Sequence, residues 1–244
     1  MPQNLQTLKK RNVFKTGFVT MTSPRVIIFT GRFGSGKTEI ALNYAIQLAE
    51  RGQKPLLVDL DIITPYFRTR DRTQELGQYG VEVITPFQVG HHLHIPALSP
   101  YILGAIEQVE RPVVLDVGGD VQGARALSQY APVIESRRAD IYMVVNPYRP
   151  FMGTVNEIVA SVREIEVSAA LPVSALVSNP NMMSESTPSL FQDGHRIVAQ
   201  AAAALELPVA LAVMSEALAA KMTPPDLPIL IIHRFFLMFD DPKK

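Results

Sequence analysis

TGRFGSGKTE, residues 30–39, is the stretch on which the fold turns. Gly31 to Thr38 fits G-x-x-x-x-G-K-T at every fixed position. It follows the apolar run RVIIFT (25–30) and opens a segment of helical period, which is where a phosphate-binding loop must sit. Gly34 and Gly36 free the backbone to aim several N–H groups inward, and the helix N-terminus adds a positive dipole end. Lys37 supplies a full charge toward β- and γ-phosphates, and Thr38 a hydroxyl for Mg²⁺. The alternative is a Gly-rich strand-to-helix turn that binds nothing. That alternative does not account for four fixed positions matched over eight residues and flanked by strand and helix.

Outward from this loop, apolar runs of strand length alternate with helical segments. The runs are RVIIFT (25–30), KPLLVDL (54–60), VEVI (81–84), PVVLDV (112–117), IYMVV (141–145), VSALVS (173–178) and PVALAV (208–213). Such alternation marks βαβ units around a sheet buried on both faces. It predicts an α/β fold of three layers (αβα) with a mostly parallel central sheet. TEIALNYAIQLAERG (38–52) places Ile40, Ala41, Leu42, Ala45, Ile46, Leu48 and Ala49 at helical spacing and ends at Gly52, a helix stop. TPSLFQDGHRIVAQAAAALEL (187–207) opens with Thr187 as an N-cap and Pro188 at the first helical position. No repeat, low-complexity tract or Gly/Ser linker marks a boundary. The expected organisation is an N-terminal arm, 1–24, and one nucleotide-binding domain, 25–244.

Composition narrows the function classes. Lys plus Arg and Asp plus Glu are equal at 23 each, so no global field points to nucleic acid or an anionic membrane. The chain has no cysteine, which excludes disulfides, thiolate metal sites and cysteine nucleophiles and fits a reducing cytoplasm. No stretch reaches the roughly 18 apolar residues of a spanning helix, and the N-terminus lacks a signal-length apolar run. A cytoplasmic protein is expected.

A metal held by the loop needs further oxygen ligands. VVLDVGGD offers Asp116 at the end of an apolar strand, as a Walker B carboxylate would be, followed by Gly118 and Gly119 where backbone can approach a γ-phosphate. The bland alternative is an acid that caps a strand end. Asp120 reads equally as a turn residue. LLVDLDIITPYFRTRD adds Asp59 and Asp61, whose period-two spacing places both on one face at the carboxyl edge of the sheet.

These residues together resemble the MinD/ParA/CobQ/CobB branch of P-loop NTPases, the SIMIBI class. The resemblance is specific over 25–61 and 112–119. PYFRTRD and DVGGDVQGARAL are similar to a subgroup defined only by that nucleotide-binding domain. The resemblance implies that Asp61 positions the attacking water, that Asp59, with Thr38 and Asp116, serves Mg²⁺, and that the loop residues Gly31, Arg32, Phe33, Gly34, Ser35, Gly36, Lys37, Thr38 and Glu39 hold the nucleotide. In the MinD/ParA branch the loop reads G-K-G-G-x-G-K-T, and its first Lys reaches a partner's phosphates across a nucleotide-sandwich dimer. Here Arg32 stands at that position and Phe33 where a Gly is usual. Arg keeps the charge and can hold phosphate oxygens in a bidentate way. A catalytic set of Lys37, Asp61 and Arg32 follows, with Arg32 acting in trans or else lying solvated at the loop tip.

Guanine specificity in P-loop proteins rests on N-K-x-D. VSNPNM matches only the Asn, Asn179, with Pro180 for Lys and Met182 for Asp, so ATP is expected over GTP and Asn179 is the base-contact candidate. An ordinary Asn-Pro turn is the other reading. His91, His92 and His94 lack a third metal ligand on one face and read as a loop. Tyr148 and Arg149 in NPYRP (146–150) follow a strand and lie at the nucleotide edge, either meeting a ligand or forming a rigid Pro-bounded connection. Arg68, Arg70 and Arg72 alternate in a switch-like segment, with a phosphate or effector role and a solvated helix face equally open. The apolar tail LPILIIHRFFLMFDDPKK has no clean polar face, so core or oligomer interface is expected rather than membrane contact.

The function expected is Mg²⁺-dependent hydrolysis of ATP to ADP and phosphate, operating on a partner protein through a nucleotide-dependent homodimer. Two alternatives share the scaffold. One is a synthetase or kinase of the CobB/dethiobiotin synthetase type acting on a small-molecule acceptor. The other is a nucleotide-sensing module with negligible turnover.

Overall fold

The computed structural model describes residues 26–60, 73–85, 99–108, 110–119 and 121–235. The arm 1–24, Asp61, the arginines at 68, 70 and 72, the three histidines at 91, 92 and 94, Asp120 and the end of the tail lie outside them.

Eight strands form one sheet in the order β3-β2-β4-β1-β5-β6-β7-β8, and every neighbouring pair is parallel. They are β1 (Val26–Thr30), β2 (Leu56–Leu60), β3 (Glu82–Ile84), β4 (Val113–Val117), β5 (Asp140–Val145), β6 (Ala175–Ser178), β7 (Val209–Ser215) and β8 (Ile229–Ile232). The helices are α1 (Lys37–Glu50), α2 (Thr73–Gln78), α3 (Pro100–Glu107), α4 (Val121–Ser128), α5 (Ala131–Ser136), α6 (Val155–Ala169), α7 (Pro188–Ala204) and α8 (Glu216–Ala219). All residues of β1, β2 and β4 are buried, as continuous apolar runs in a parallel sheet require.

Alternate residues face opposite layers. Val26, Ile28, Val58 and Leu115 pack with Ile102 of α3, Leu127 of α4, Ile158 of α6 and Val198 of α7. Ile27, Phe29, Leu57 and Val114 pack with Ile40 and Leu42 of α1 and Leu76 of α2. This is the three-layer αβα architecture expected from the sequence.

The helix ends follow local chemistry. Thr187 accepts a 3.2 Å bond from Leu190 N with Pro188 behind it. Thr154 and Glu157 form a reciprocal capping box at the start of α6. Gly52, at φ 79°, closes α1 by donating to Ala49 O.

The apolar tail resolves into β8, a strand on the sheet edge that was not anticipated. Leu230 and Ile232 enter the core, and the residues after the strand clamp α1. Asn43 donates to His233 O and accepts from His233 N, while Phe235 N donates to Glu39. Core is therefore the reading that applies to residues 229–235. Among the described residues no helix is long and apolar enough to cross a membrane.

Candidate functional site: a phosphate loop between two walls

The loop between β1 and α1 is held by glycines in conformations other residues resist. Gly31, Gly34 and Gly36 have φ of 145°, 73° and 93°. A Cβ on Gly31 would meet Val144 O at 2.4 Å, and one on Gly36 would meet the Asn179 amide nitrogen at 2.5 Å. The loop is thus pressed between its neighbours and cannot accept side chains at either place. Ser35 Oγ is buried, with no hydrogen-bond partner among the described residues.

One wall comes from β2 and β4. Asp59 and Asp116 are register partners across that strand pair, and Asp116 is also paired with Phe29 of β1. By parity both carboxylates share the face of Leu57, Val114 and Phe29, the face covered by α1. They are 3% and 1% exposed, and Lys37, at the first turn of α1, is 5% exposed. Two buried carboxylates side by side need positive charge nearby. Carboxylate and hydroxyl oxygens are hard donors of the kind Mg²⁺ takes, and Thr38 stands in the first turn of α1, the helix that covers this face. Among the described residues no group of three or more His, Cys, Asp or Glu side chains could hold a metal ion. Gly119 brings the β4 loop onto the phosphate loop: a Cβ there would lie 2.4 Å from Gly31 O and 2.9 Å from Phe33 N.

The other wall comes from β5 and β6, each ending in Asn-Pro. Asn179 is 3% exposed, and its amide nitrogen donates to Ser35 O at 2.7 Å. The structure therefore uses this side chain to hold the phosphate loop. Arg149 Nε donates to Gly34 O at 3.0 Å. Buried Asn146 links the two strand ends, donating to Asn181 O at 2.9 Å and accepting from Tyr148 N at 3.1 Å. Burial, with Asp193 nearby, raises the Tyr148 hydroxyl above its ordinary value, so it stays protonated and donates to Leu190 O.

Arg32 does not stand free at the loop tip. Its Nε donates to Ser161 Oγ at 2.6 Å and its Nη2 to Glu164 at 2.5 Å, both on α6. Beside it opens a cleft of about 210 Å³ lined by Gly119, Gln122, Glu164, Ile165 and Ser168. Phe33 is 72% exposed. The Glu39 carboxylate accepts from Phe235 N, just after β8. Asn146, Ser161, Glu164 and Gly194 were not singled out in the sequence. Only the repeated Asn-Pro at two strand ends hinted at the first.

No protein-family model and no curated protein matches the chain. Solved structures do. FtsY from Mycoplasma mycoides is 17% identical over 76% of this chain and 58% of that one, with a TM-score of 0.51. Cell division protein FtsY from Thermotoga maritima is 15% identical over 78% and 62%, at 0.53. Signal recognition particle 54 kDa protein from Aeropyrum pernix K1, in complex with GDP, is 17% identical over 78% and 41%, at 0.50. The chain spans less than two thirds of the length of each. At these identities the likeness shows the fold alone, a parallel sheet between helical layers shared with these structures, and does not single out the MinD/ParA/CobQ/CobB branch.

Proposed function

We propose that this protein is a cytoplasmic Mg²⁺-dependent nucleoside triphosphatase that favours ATP and acts on a partner protein. The observation that carries the reading is the buried Lys37 at the mouth of a strand–loop–helix, on the sheet face that holds the in-register pair Asp59 and Asp116. Lys37 and the loop N–H groups would bind the phosphates, and Thr38, Asp59 and Asp116 would hold the metal. Mg²⁺ held by these residues would supply charge neutralisation for the transfer of the γ-phosphoryl group. Asp61 would orient the attacking water. ATP is favoured over GTP because Met182 replaces the acid that guanine recognition needs. Exposed Phe33, next to Arg32, supports a nucleotide-dependent homodimer.

One observation favours a second reading. The cleft beside Arg32 is large enough for a small acceptor and carries Gln122 and Ser168 on its wall. That suits phosphoryl transfer to a metabolite on the same scaffold.

Phosphate release with Mg²⁺ and ATP, without added acceptor, should be sustained and should vanish in Lys37→Ala together with binding. Release that requires an added small carboxylate would establish the second reading instead. Unchanged ATP affinity in Lys37→Ala would remove the site. ATP should raise the melting temperature more than GTP at equal concentration.

A further inference from the structure

We propose that Arg149 is a nucleobase contact: its guanidinium, laid on the phosphate loop by the bond to Gly34 O, is the flat cationic surface on which a bound purine stacks. The inference rests on the nucleotide reading above and assigns the end of the site that reading leaves open.

The direction of a bound nucleotide follows from the two walls. Metal-holding carboxylates and Gly119 lie on the β4/β2 side of the loop, so the β- and γ-phosphates belong there. The nucleoside end therefore points toward β5 and β6, where Asn179 and Arg149 stand. Asn179 is buried and its amide nitrogen is engaged by Ser35 O, while Arg149, half-buried, stands against the loop at that same edge with its guanidinium plane available to a ring. A Cβ added to Gly34 would lie 3.5 Å from Arg149 Nε and 3.8 Å from Cζ, so the guanidinium rests along the loop and does not trail into solvent.

Its support is rigid. Pro147 and Pro150 flank it, Arg149 N donates to Asn146 O at 3.1 Å, and Met152 N donates to Arg149 O at 3.2 Å. That last bond closes a turn with Pro150 second and Phe151 third, the latter at φ 62°, a conformation that bulky residues resist. Asn146 and Tyr148 tie the same segment to Asn181 and α7. A planar, pre-ordered cation loses little freedom when an aromatic ring settles on it, and guanidinium stacks where ammonium cannot. The contact tolerates adenine and guanine alike, so any preference between them comes from elsewhere.

Calorimetric titration of wild type, Arg149→Ala and Arg149→Lys with Mg²⁺ plus either ATP or inorganic tripolyphosphate tests this. Arg149→Ala should bind ATP about 5- to 30-fold more weakly, the range for a partly desolvated cation–π contact. Tripolyphosphate affinity should change less than about twofold. Arg149→Lys keeps the charge without the plane, and should recover only part of the ATP affinity. Equal losses for both ligands would make Arg149 a brace of the loop or a phosphate ligand and overturn the proposal. Unchanged ATP affinity in Arg149→Ala would overturn it as well. Wild type binding neither ligand would remove the phosphate-site reading itself, and this proposal with it.

Discussion

Replacing Asn179 with Ala removes the 2.7 Å hydrogen bond that its amide donates to Ser35 O, in a place where Asn179 is 3% and Ser35 1% exposed. A buried carbonyl that loses its donor costs about 1–3 kcal/mol. At ~2 kcal/mol, and about 2–4 °C of melting temperature per kcal/mol in a chain of this size, the variant should melt about 4–8 °C lower. If this loop holds phosphate as proposed, loosening it should weaken binding of both Mg²⁺-tripolyphosphate and Mg²⁺-ATP. Asn179→Asp should be worse, because it sets a carboxylate against the same carbonyl. Thermal denaturation and calorimetric titration read both effects. An unchanged melting temperature, with ATP binding alone impaired, would refute this reasoning and return Asn179 to the adenine contact expected from sequence.

Gly194→Ala should destabilise despite alanine's better helix propensity. The added methyl would lie 2.5 Å from Pro180 Cβ and 2.9 Å from Pro147 Cγ, and overpacking of about 1–3 kcal/mol exceeds a propensity gain of about 1 kcal/mol. A higher melting temperature would show that the loops over α7 can shift freely. Stability should also fall with pH through one histidine. Burial lowers the pKa of His195, whose Nδ1 lies 2.9 Å from Ser178 Oγ and whose ring stacks on Phe191. The folded state therefore favours neutral imidazole, while the unfolded chain takes up a proton near pH 6.5. Its stabilisation is present above that pH and lost below it. The denaturation midpoint of His195→Gln should depend less on pH between 7 and 5 than that of wild type, and parallel profiles would count against the assignment.

What was legible in the sequence is what burial writes into neighbouring residues. Strands covered on both faces show as continuous apolar runs, so β1 to β7 were readable, and the loop glycines with Lys37 and Thr38 are contiguous. β8 was not readable as a strand. ILII is four residues long, and its parallel pairing with β7 reveals it. The site's walls were half visible: Asp116 and Asp59 announce themselves as acids closing apolar runs, but their pairing is a fact of strand order. Arg149 and Gly34 are 115 residues apart, and Arg32 and Glu164 are 132 apart, separations at which no local pattern speaks. Gly194 reads as a weak spot in a helix until the prolines of two loops are placed against it.

Arg32 is where sequence and structure pull hardest against each other, and energies decide whether both can hold. The loop position suggests a residue that reaches across a dimer, while the structure ties it to Ser161 and Glu164 within one chain. That ion pair is 38% and 46% exposed, a setting where such pairs contribute about 0–1 kcal/mol. A charge-assisted bond to phosphate in a closed site contributes roughly 1.5–3 kcal/mol. If Arg32 acts in trans, as the loop position implies, the Glu164 half of this contact is a weak latch, the bond to buried Ser161 adds to the hold, and together they set a threshold that a phosphate must exceed. Glu164→Gln should lower the threshold, raising turnover and ATP-dependent dimerisation up to about fivefold, the factor that ~1 kcal/mol represents. Arg32→Ala should abolish that gain when combined with it. If Glu164→Gln instead lowers turnover, or if neither variant changes dimerisation measured by sedimentation, Arg32 is a strut between the phosphate loop and α6, and catalysis runs without it.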